Sequence, residues 1–455
     1  MSQLVRQKDP LNTEPYTNDL ASSFITPNNL VFNRNHDSVV RTEVPESNGV
    51  DWTLSISVDD GVKLASDSKV LQQCLSLDTI KKDHKLVEVI ATLECAGNRR
   101  SELASSHQPA EGIQWGNAVI ANVIWGGASL RSVLLASGVP DPFVHHSDHT
   151  ALKPSEEATR EDAATWARSL HLHLFSAQES SESDDPSRKE YFASSIPLST
   201  AMHPNQDCLL AYQYNRQTLT QRHGAPLRAV IPGHVGARWV KWLNGLRISN
   251  RENDSPPMRM DYKLLVPPQK GGTEVEKAFV ERASEDTEFR KQELRQQKPL
   301  QRLEASCSIT QPSQDGQSLA ANDGKVSIKG YAVGQDGSPA TSVFLALMPE
   351  TEQELSSDDL LTSLPAEIEW QQATIRHHDI DAHRGAASGR WSWAWTLWQL
   401  EVSVPSSNRK WALIARCVTA SGVEQERISE WNLRGFCNRS WSVVRNISFR
   451  PHLEA

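Results

Sequence analysis

No run of apolar residues approaches the ~18 that a membrane-crossing helix needs, and no block of lysine or arginine occurs anywhere in the chain. The first absence excludes a helical membrane span. The second, together with a formal net charge of -9, argues against a nucleic-acid surface, because phosphate binding needs a concentrated positive field. Cysteine is sparse, and Cys74, Cys95, Cys208, Cys307, Cys417 and Cys437 form no C-x-x-C pair. Neither a zinc ribbon nor a disulfide framework is indicated. A reducing compartment fits best, with the cytoplasm first and a peroxisome or mitochondrion as the other options. The N-terminus lacks both the apolar core of a secretory signal and the acid-poor pattern of a transit peptide, so residues 1–29 read as a flexible, solvated arm. The C-terminal HLEA is not an S-K-L type of peroxisomal address.

What is present suffices for more than one core. At 455 residues, with 38% hydrophobic and 23% charged residues, the chain is expected to form two domains, or three. Residues 30–263 alternate short β-like runs with helical stretches, the pattern of a mixed α/β domain. Within it, Leu86 to Cys95 is apolar on both faces, as in a buried strand, and delivers Cys95 to the turn AGNRR. The Ser-, Asp- and Glu-rich segment from Ser176 to Glu190 predicts an exposed loop. Residues 264–298 are strongly charged and suit a solvated helix or a linker. From 299 to 455, KVSIKGYAV, SVFLALM, WALIARCVTASG and WSVVRNISFR are separated by turn residues, which describes a β-sandwich. Eight of the fourteen tryptophans lie in this half. No basic residues interleave the cluster Trp391, Trp393, Trp395 and Trp398, so core and inter-subunit packing is favoured over a platform for stacking bases.

Three clusters concentrate cations in an otherwise acidic chain: Phe32 to His36 (FNRNH), the cysteine turn, and Gln221 to Trp242. Most isolated cysteines are small hydrophobes, and most charged loops face water. Arg99 and Arg100 close to Cys95 nevertheless favour a thiolate, a soft ligand for a metal. No second cysteine or histidine lies at ligand spacing, so the remaining ligands would come from an organic cofactor. Together the clusters suggest an anion pocket assembled by folding.

The runs LECAGNRRSEL and IQWGNAVIANVIWGGASLRSVL, continuing through SSIPLSTAMHPNQDCLLAYQYN, RHGAPLRAVIPGHVGARWVKWL and DYK, closely resemble the molybdopterin domain of the sulfite oxidase family. WAWTLWQ and EWNLRGFCNRSW resemble its immunoglobulin-like dimerisation domain. The resemblance implies an α+β protein: a mixed α/β molybdopterin-binding domain followed by an immunoglobulin-like β-sandwich. It implies Mo-molybdopterin as cofactor, Cys95 as the metal ligand, and a substrate pocket of Arg34, Arg100, Trp115, Tyr262 and Arg434. The pterin and its phosphate would be held by Phe32, Asn33, Arg34, Asn35, His36, His223, Arg228, Trp239, Val240 and Lys241. Where the family often has an aspartate, the nearest alignment puts Gln178, an uncharged hydrogen-bonding side chain.

The activity implied is oxidation of sulfite to sulfate by oxygen-atom transfer at a Cys-ligated molybdenum. The expected assembly is a homodimer, with oxygen or an external carrier accepting the electrons and no nucleic-acid or membrane partner. Because Arg434 belongs to the second half, the active site is expected at the domain interface. A nitrate reductase-type molybdenum enzyme is the alternative within redox chemistry, although no haem-type module and no G-x-G-x-x-G turn is found. A non-catalytic two-domain scaffold is the alternative from another class.

Overall fold

The computed structural model describes residues 3–40, 52–65, 72–143, 160–181, 187, 189–269, 272–351, 355–376, 392–405 and 409–450. Strands β1 (Gln3–Gln7) and β2 (Asn12–Pro15) open the chain as an antiparallel hairpin. The expected solvated arm is therefore a packed element. Composition misled because Asn12, Thr13 and Glu14, polar as they are, are buried with their hydrogen bonds made inside the protein. Leu20 and Phe24, which follow, pack with Ile90, Ile120 and Ile124 on one side and Tyr331, Trp395 and Leu397 on the other, a cluster that joins the two halves of the molecule.

The first half holds two five-stranded sheets. Its strands are β3 (Thr53–Val58), β4 (Gln73–Ser76), β5 (Leu86–Glu94), β6 (Ile120–Ser129), β7 (His171–Ser180), β8 (Glu190–Pro197), β9 (Leu209–Tyr214), β10 (Gln217–Thr218), β11 (Arg228–Val230) and β12 (Leu243–Ser249). One sheet runs β10-β9-β6-β5 with β11 on β9; the other runs β4-β3-β12-β7-β8. The pairs are antiparallel except β3 with β12. In β5 every residue from Val89 to Glu94 is buried, as the apolar run predicts, and β6 pairs along its whole length. The chain leaves the sheet at Cys95, whose N–H donates to the Val119 carbonyl at 3.0 Å.

Of the loop expected from Ser176 to Glu190, the part up to Ser180 is instead the end of β7, paired with the start of β8, and residues 182–186 and 188 lie outside the described residues. Its serines fit a strand because Ser176 donates to the Lys241 carbonyl at 2.7 Å, so the hydroxyl is satisfied on the buried face. The charged stretch contains two helices, Glu274–Glu285 and Thr287–Gln296, capped by Thr273 and Asp286. They are solvated on one side. On the other, Ala283 and Leu294 pack against Leu103, Leu265, Trp431 and Leu433, so the segment bridges the halves and is more than a tether.

The second half is a sandwich of β13 (Ser306–Gln311), β14 (Ser318–Ala320), β15 (Lys325–Val333), β16 (Ala340–Pro349), β17 (Gln371–Gln372), β18 (Thr374–Arg376), β19 (Thr396–Ser403), β20 (Trp411–Thr419) and β21 (Ser442–Arg450). The sheets run β13-β15-β19-β18 and β14-β21-β20-β16-β17. Ile328, Trp398, Val343 and Leu413 fill the core between them. Trp395 stacks on Tyr331 with centroids 5.6 Å apart, and the Trp393 indole donates to Asp207 of the first half at 3.1 Å. Both support a packing role for this cluster. Trp391 lies outside the described residues.

Candidate active site

A cavity opens beside the turn that follows β5. Phe32, Arg34, His36, Cys95, Gln178, His223, Arg228, Trp239, Val240, Lys241 and Tyr262 all line it. The named residues come from five separate stretches of sequence: 32–36, Cys95 after β5, Gln178 in β7, 223–241 around β11, and Tyr262. Asn33 and Asn35 do not line it: Asn33 bonds Thr13 on the hairpin, and Asn35 lies between the Leu11 carbonyl and the Lys241 ammonium.

Cys95 is buried, its sulfur 3.4 Å from the Gly97 N–H. Burial pushes its thiol up from the ordinary value, against the pull of Arg34 and Arg100. The expectation that Arg99 and Arg100 together favour a thiolate is thus not met. Arg99 sits in the left-handed region at φ 63°, and its side chain leaves the site to reach Glu102 and the carbonyls of Cys307 and Ser440. Among the described residues no cluster of three or more histidine, cysteine or acidic side chains could hold a metal. A metal on Cys95 must therefore bring most of its ligands with it and must itself supply the charge that deprotonates the sulfur.

Arg100 is the arginine that stays. Its Nε donates to the Arg434 carbonyl at 3.0 Å and Nη1 to the Ile113 carbonyl at 2.7 Å, and the guanidinium lies over the Phe436 ring at 5.0 Å. Burial, with Arg34 and Arg434 adding to it, lowers its pKa to about 10, so it remains a cation at neutral pH. It fits because Gly435 (φ 59°) has no side chain: a Cβ there would lie 2.6 Å from the Arg100 Cγ. A Cβ at Gly97 would meet Arg100 Nη2 at 2.9 Å and Trp115 Cδ1 at 3.0 Å, which puts those two groups side by side next to the cysteine turn.

Arg34 donates to the Asn35 carbonyl at 2.6 Å. Burial opposes its charge, but Tyr262, Cys95 and Asp261 outweigh it and raise its pKa. Tyr262 stacks on Phe436 of the second half with centroids 5.5 Å apart. His36 is held between two carboxylates, Asp37 at 2.9 Å and Asp261 at 2.8 Å. Burial alone would make it neutral; the hydrogen bonds to Asp261 and Asp37 prevail and raise its pKa to about 9. Asp261 in turn pairs with Arg434. Burial works against this carboxylate too, yet Arg434, His36 and Arg34 hold it well below the usual carboxylate range.

Asp261 and Asp37 carry charge balance that sequence reasoning missed. The only signal was the aspartate of the D-Y-K run itself, and its partners lie 225 and 173 residues away.

The opposite wall is different. The Lys241 ammonium donates to the Arg34 and Arg222 carbonyls, both at 2.9 Å, and to the Asn35 amide oxygen at 2.5 Å. Arg228 donates to the His223 and Trp239 carbonyls at 2.9 and 3.1 Å, and its buried Nε has no partner. His223 bridges the Thr220 hydroxyl and the Phe32 carbonyl at 2.8 and 3.2 Å. Burial lowers all three pKa values, that of His223 to about 3 and that of Arg228 to about 9, with Lys241 well below its ordinary value; His223 is lowered further by Lys241 and Arg228. Among the described residues no carboxylate partners Lys241 or Arg228. Uncompensated buried charge is costly, and an orphaned guanidinium N–H beside a lysine is the donor set a phosphate would satisfy. Gln178 donates its amide N–H groups to the Asp37 and Ser38 carbonyls, both at 3.0 Å, leaving its carbonyl oxygen for a donor such as a pterin amine. A phosphorylated pterin carrying a metal fits these residues.

Comparison with known proteins gives the same direction. Residues 41–257 match the oxidoreductase molybdopterin binding domain family, and residues 362–448 match the Mo-co oxidoreductase dimerisation domain family. The chain is 30% identical to sulfite oxidase of Arabidopsis thaliana over 442 residues, covering 97% of this chain and 92% of that protein. It is 32% identical to the mitochondrial sulfite oxidase of Rattus norvegicus over 443 residues, and spans 64% of that protein's length. Nitrate reductase [NADH] of Spinacia oleracea is 26% identical over 452 residues, of which this chain covers 40%. In fold, the sulfane dehydrogenase SoxCD of Paracoccus pantotrophus superposes with a TM-score of 0.61 over 96% of this chain and 84% of that one, at 20% identity.

Proposed function

The chain belongs to the sulfite oxidase family of molybdopterin oxidoreductases, and from that premise we propose that it oxidises sulfite to sulfate with molybdenum bound through Cys95. The observation that carries this reading is the cavity itself, where Cys95 lies between the cations His223, Arg228 and Lys241 and the Arg34 side; Arg100 and Arg434, which do not line it, stand behind, Arg434 joined to His36 through Asp261. When bound, the cofactor supplies a two-electron sink and a transferable oxygen atom. Everything else is the work of the protein's side chains.

In this reading Lys241, Arg228 and His223 hold the phosphate, Gln178 accepts from the pterin, and Phe32, Trp239 and Val240 close the apolar sides. Arg34, Arg100 and Arg434 bind the sulfite dianion as planar, permanently charged donors. At ~4 Å and an effective dielectric near 20, each guanidinium contributes roughly 4 kcal/mol of gross attraction per unit charge, before desolvation is subtracted. The Tyr262 hydroxyl, hydrogen-bonded to Arg34, and the Trp115 edge complete the pocket and exclude water. His36 stays protonated at neutral pH and keeps Asp261 from neutralising more than one arginine. Sulfate, with the same charge and one more oxygen, leaves by exchange with solvent.

The functional unit we propose is a homodimer joined through the sandwich, in the cytoplasm, with oxygen or an external carrier accepting the electrons. The six free cysteines support a reducing compartment. No helix among the described residues is long and apolar enough to cross a membrane.

The test is sulfite-dependent reduction of an artificial electron acceptor by purified, molybdenum-containing protein, with oxygen uptake measured in parallel. Turnover with sulfite is expected. Nitrate reduction from an artificial donor in its place would move the chain to the nitrate-reducing branch, and purified protein unable to retain molybdenum would make it a scaffold.

A further inference from the structure

The N-terminal hairpin does more than cover the core. Asn12 is fully buried on β2, and its side chain grips the backbone of Asn35 from both ends: Oδ1 accepts the Asn35 N–H at 2.9 Å, and Nδ2 donates to the Asn35 carbonyl at 3.1 Å. That carbonyl is the one to which Arg34 Nη1 donates, and the same Nη1 lies 3.5 Å from Asn12 Oδ1. Around this grip, Asn35 Nδ2 donates to the Leu11 carbonyl at 2.7 Å, and Thr13 and Asn33 exchange two backbone hydrogen bonds of 2.9 Å. The backbone on either side of Arg34 is thus stitched to residues 11–13.

The next outward-and-back position on the strand reaches a second strip of the site. Glu14 Oε1 accepts the Gly116 N–H at 3.0 Å, directly after Trp115, and the same oxygen accepts from Arg6 Nε at 2.5 Å. Two short stretches that flank the proposed sulfite pocket, residues 33–35 and 115–116, therefore meet on one hairpin edge.

We infer that the hairpin is a clasp that fixes the oxyanion-binding groups, with Asn12 the positioning residue for Arg34 and Glu14 that for the Trp115 turn. The inference rests on the sulfite reading above for the identity of the ligand. Its physics is pre-organisation. A guanidinium held by a fixed carbonyl loses little freedom on binding an anion, whereas one on a loosened loop must be ordered at the expense of affinity. Asn12 is fully buried, so its truncation leaves the Asn35 N–H without its acceptor and the Asn35 carbonyl with Arg34 as the donor that remains, and the loop loosens.

The experiment uses the purified, molybdenum-containing full chain as wild type, Asn12→Ala and Asn12→Asp. The aspartate keeps the acceptor facing the Asn35 N–H and Arg34. Three quantities are read: kcat and KM for sulfite, the sulfate dissociation constant by calorimetry, and amide hydrogen exchange of peptides covering residues 31–37. Asn12→Ala is expected to raise the sulfite KM and the sulfate Kd about tenfold, leave kcat within about threefold and molybdenum content unchanged, and speed exchange over 31–37. Asn12→Asp is expected to recover most of the lost affinity. Alanine values within twofold of wild type for both constants would overturn the clasp. So would aspartate values no better than alanine, which is also the deciding comparison if Asn12→Ala does not accumulate as folded protein. Should the wild type hold molybdenum yet neither turn over sulfite nor bind sulfate, the functional reading fails by itself. The clasp is then judged on exchange alone, and unchanged exchange in both variants refutes it.

Discussion

The two walls of the cavity are both rich in cations, yet they are built on opposite plans. On one wall His223, Arg228 and Lys241 come from a single stretch of the first half, donate to carbonyl and amide oxygens, and have depressed pKa values. On the other, Arg34 and His36 line the cavity, and behind them Asp37, Asp261 and Arg434 of the second half interleave charges of opposite sign. A cluster without counter-charge is unstable empty and becomes stable only with an anion in place, which suits a ligand that binds once and stays. A cluster that carries its own carboxylates is close to neutral in the absence of ligand. It can take up and release a small dianion without a large change in stability, as turnover requires.

The sharpest way to break this comparison is to remove what stands between the walls. Cys95→Ser is expected to lower sulfite turnover by about a thousandfold or more, a change of ~4 kcal/mol or greater in the barrier, since an alcohol is a far poorer soft-metal ligand. Dye reduction per molybdenum atom measures it, and equal rates would remove Cys95 from the mechanism. Next in size, Lys241→Met deletes three hydrogen bonds from a buried ammonium. At about 1.5–3 kcal/mol for a charged hydrogen bond, retention of cofactor should weaken by about tenfold to a hundredfold. Metal analysis after dialysis reads this, and full molybdenum content would show that the wall without carboxylates does not serve the phosphate.

Arg434→Met should do the reverse. It is expected to leave molybdenum content unchanged and to raise the sulfite KM by about tenfold to thirtyfold, the cost of one charge-assisted contact and of an Asp261 left with His36 but without its guanidinium. Loss of metal together with a normal KM would mean that the two walls have been assigned the wrong ligands.

How much of this could be read from the chain follows from the same contrast. Cys95 at the end of a buried strand was legible because a run apolar on both faces has few alternatives, and β15 coincides with the run KVSIKGYAV for a similar reason. The pairing of Arg99 with Arg100 beside Cys95 was misread. One residue in the left-handed region sends neighbouring side chains in opposite directions, and no pattern of charges reveals a backbone angle. Asn12 and Glu14 were invisible: polar residues near a terminus read as solvated, and their partners lie 23 and 102 positions away. Composition counts charge along the chain, whereas burial and counter-charge are settled across it. That is why the cations were found and the aspartates that distinguish the walls were not.

The smallest effect concerns His36, the cation whose charge the mixed wall itself maintains. Its pKa in the folded protein is raised to about 9 from an ordinary 6.5. A raised pKa means that the folded state holds the proton more tightly than the unfolded one. The stabilisation is therefore fully present below about pH 6.5 and is lost as the pH climbs through 9. The largest value this can take is about 3 kcal/mol, with Asp37 and Asp261 ionised throughout that range because both are held low. Urea unfolding of wild type and His36→Gln at pH 6, 7.5 and 9.5 should show a gap that is widest at the lowest pH and nearly closed at the highest. A gap that does not change with pH would mean that His36 is held by shape alone. The two walls would then differ in composition but not in the way each keeps its charge.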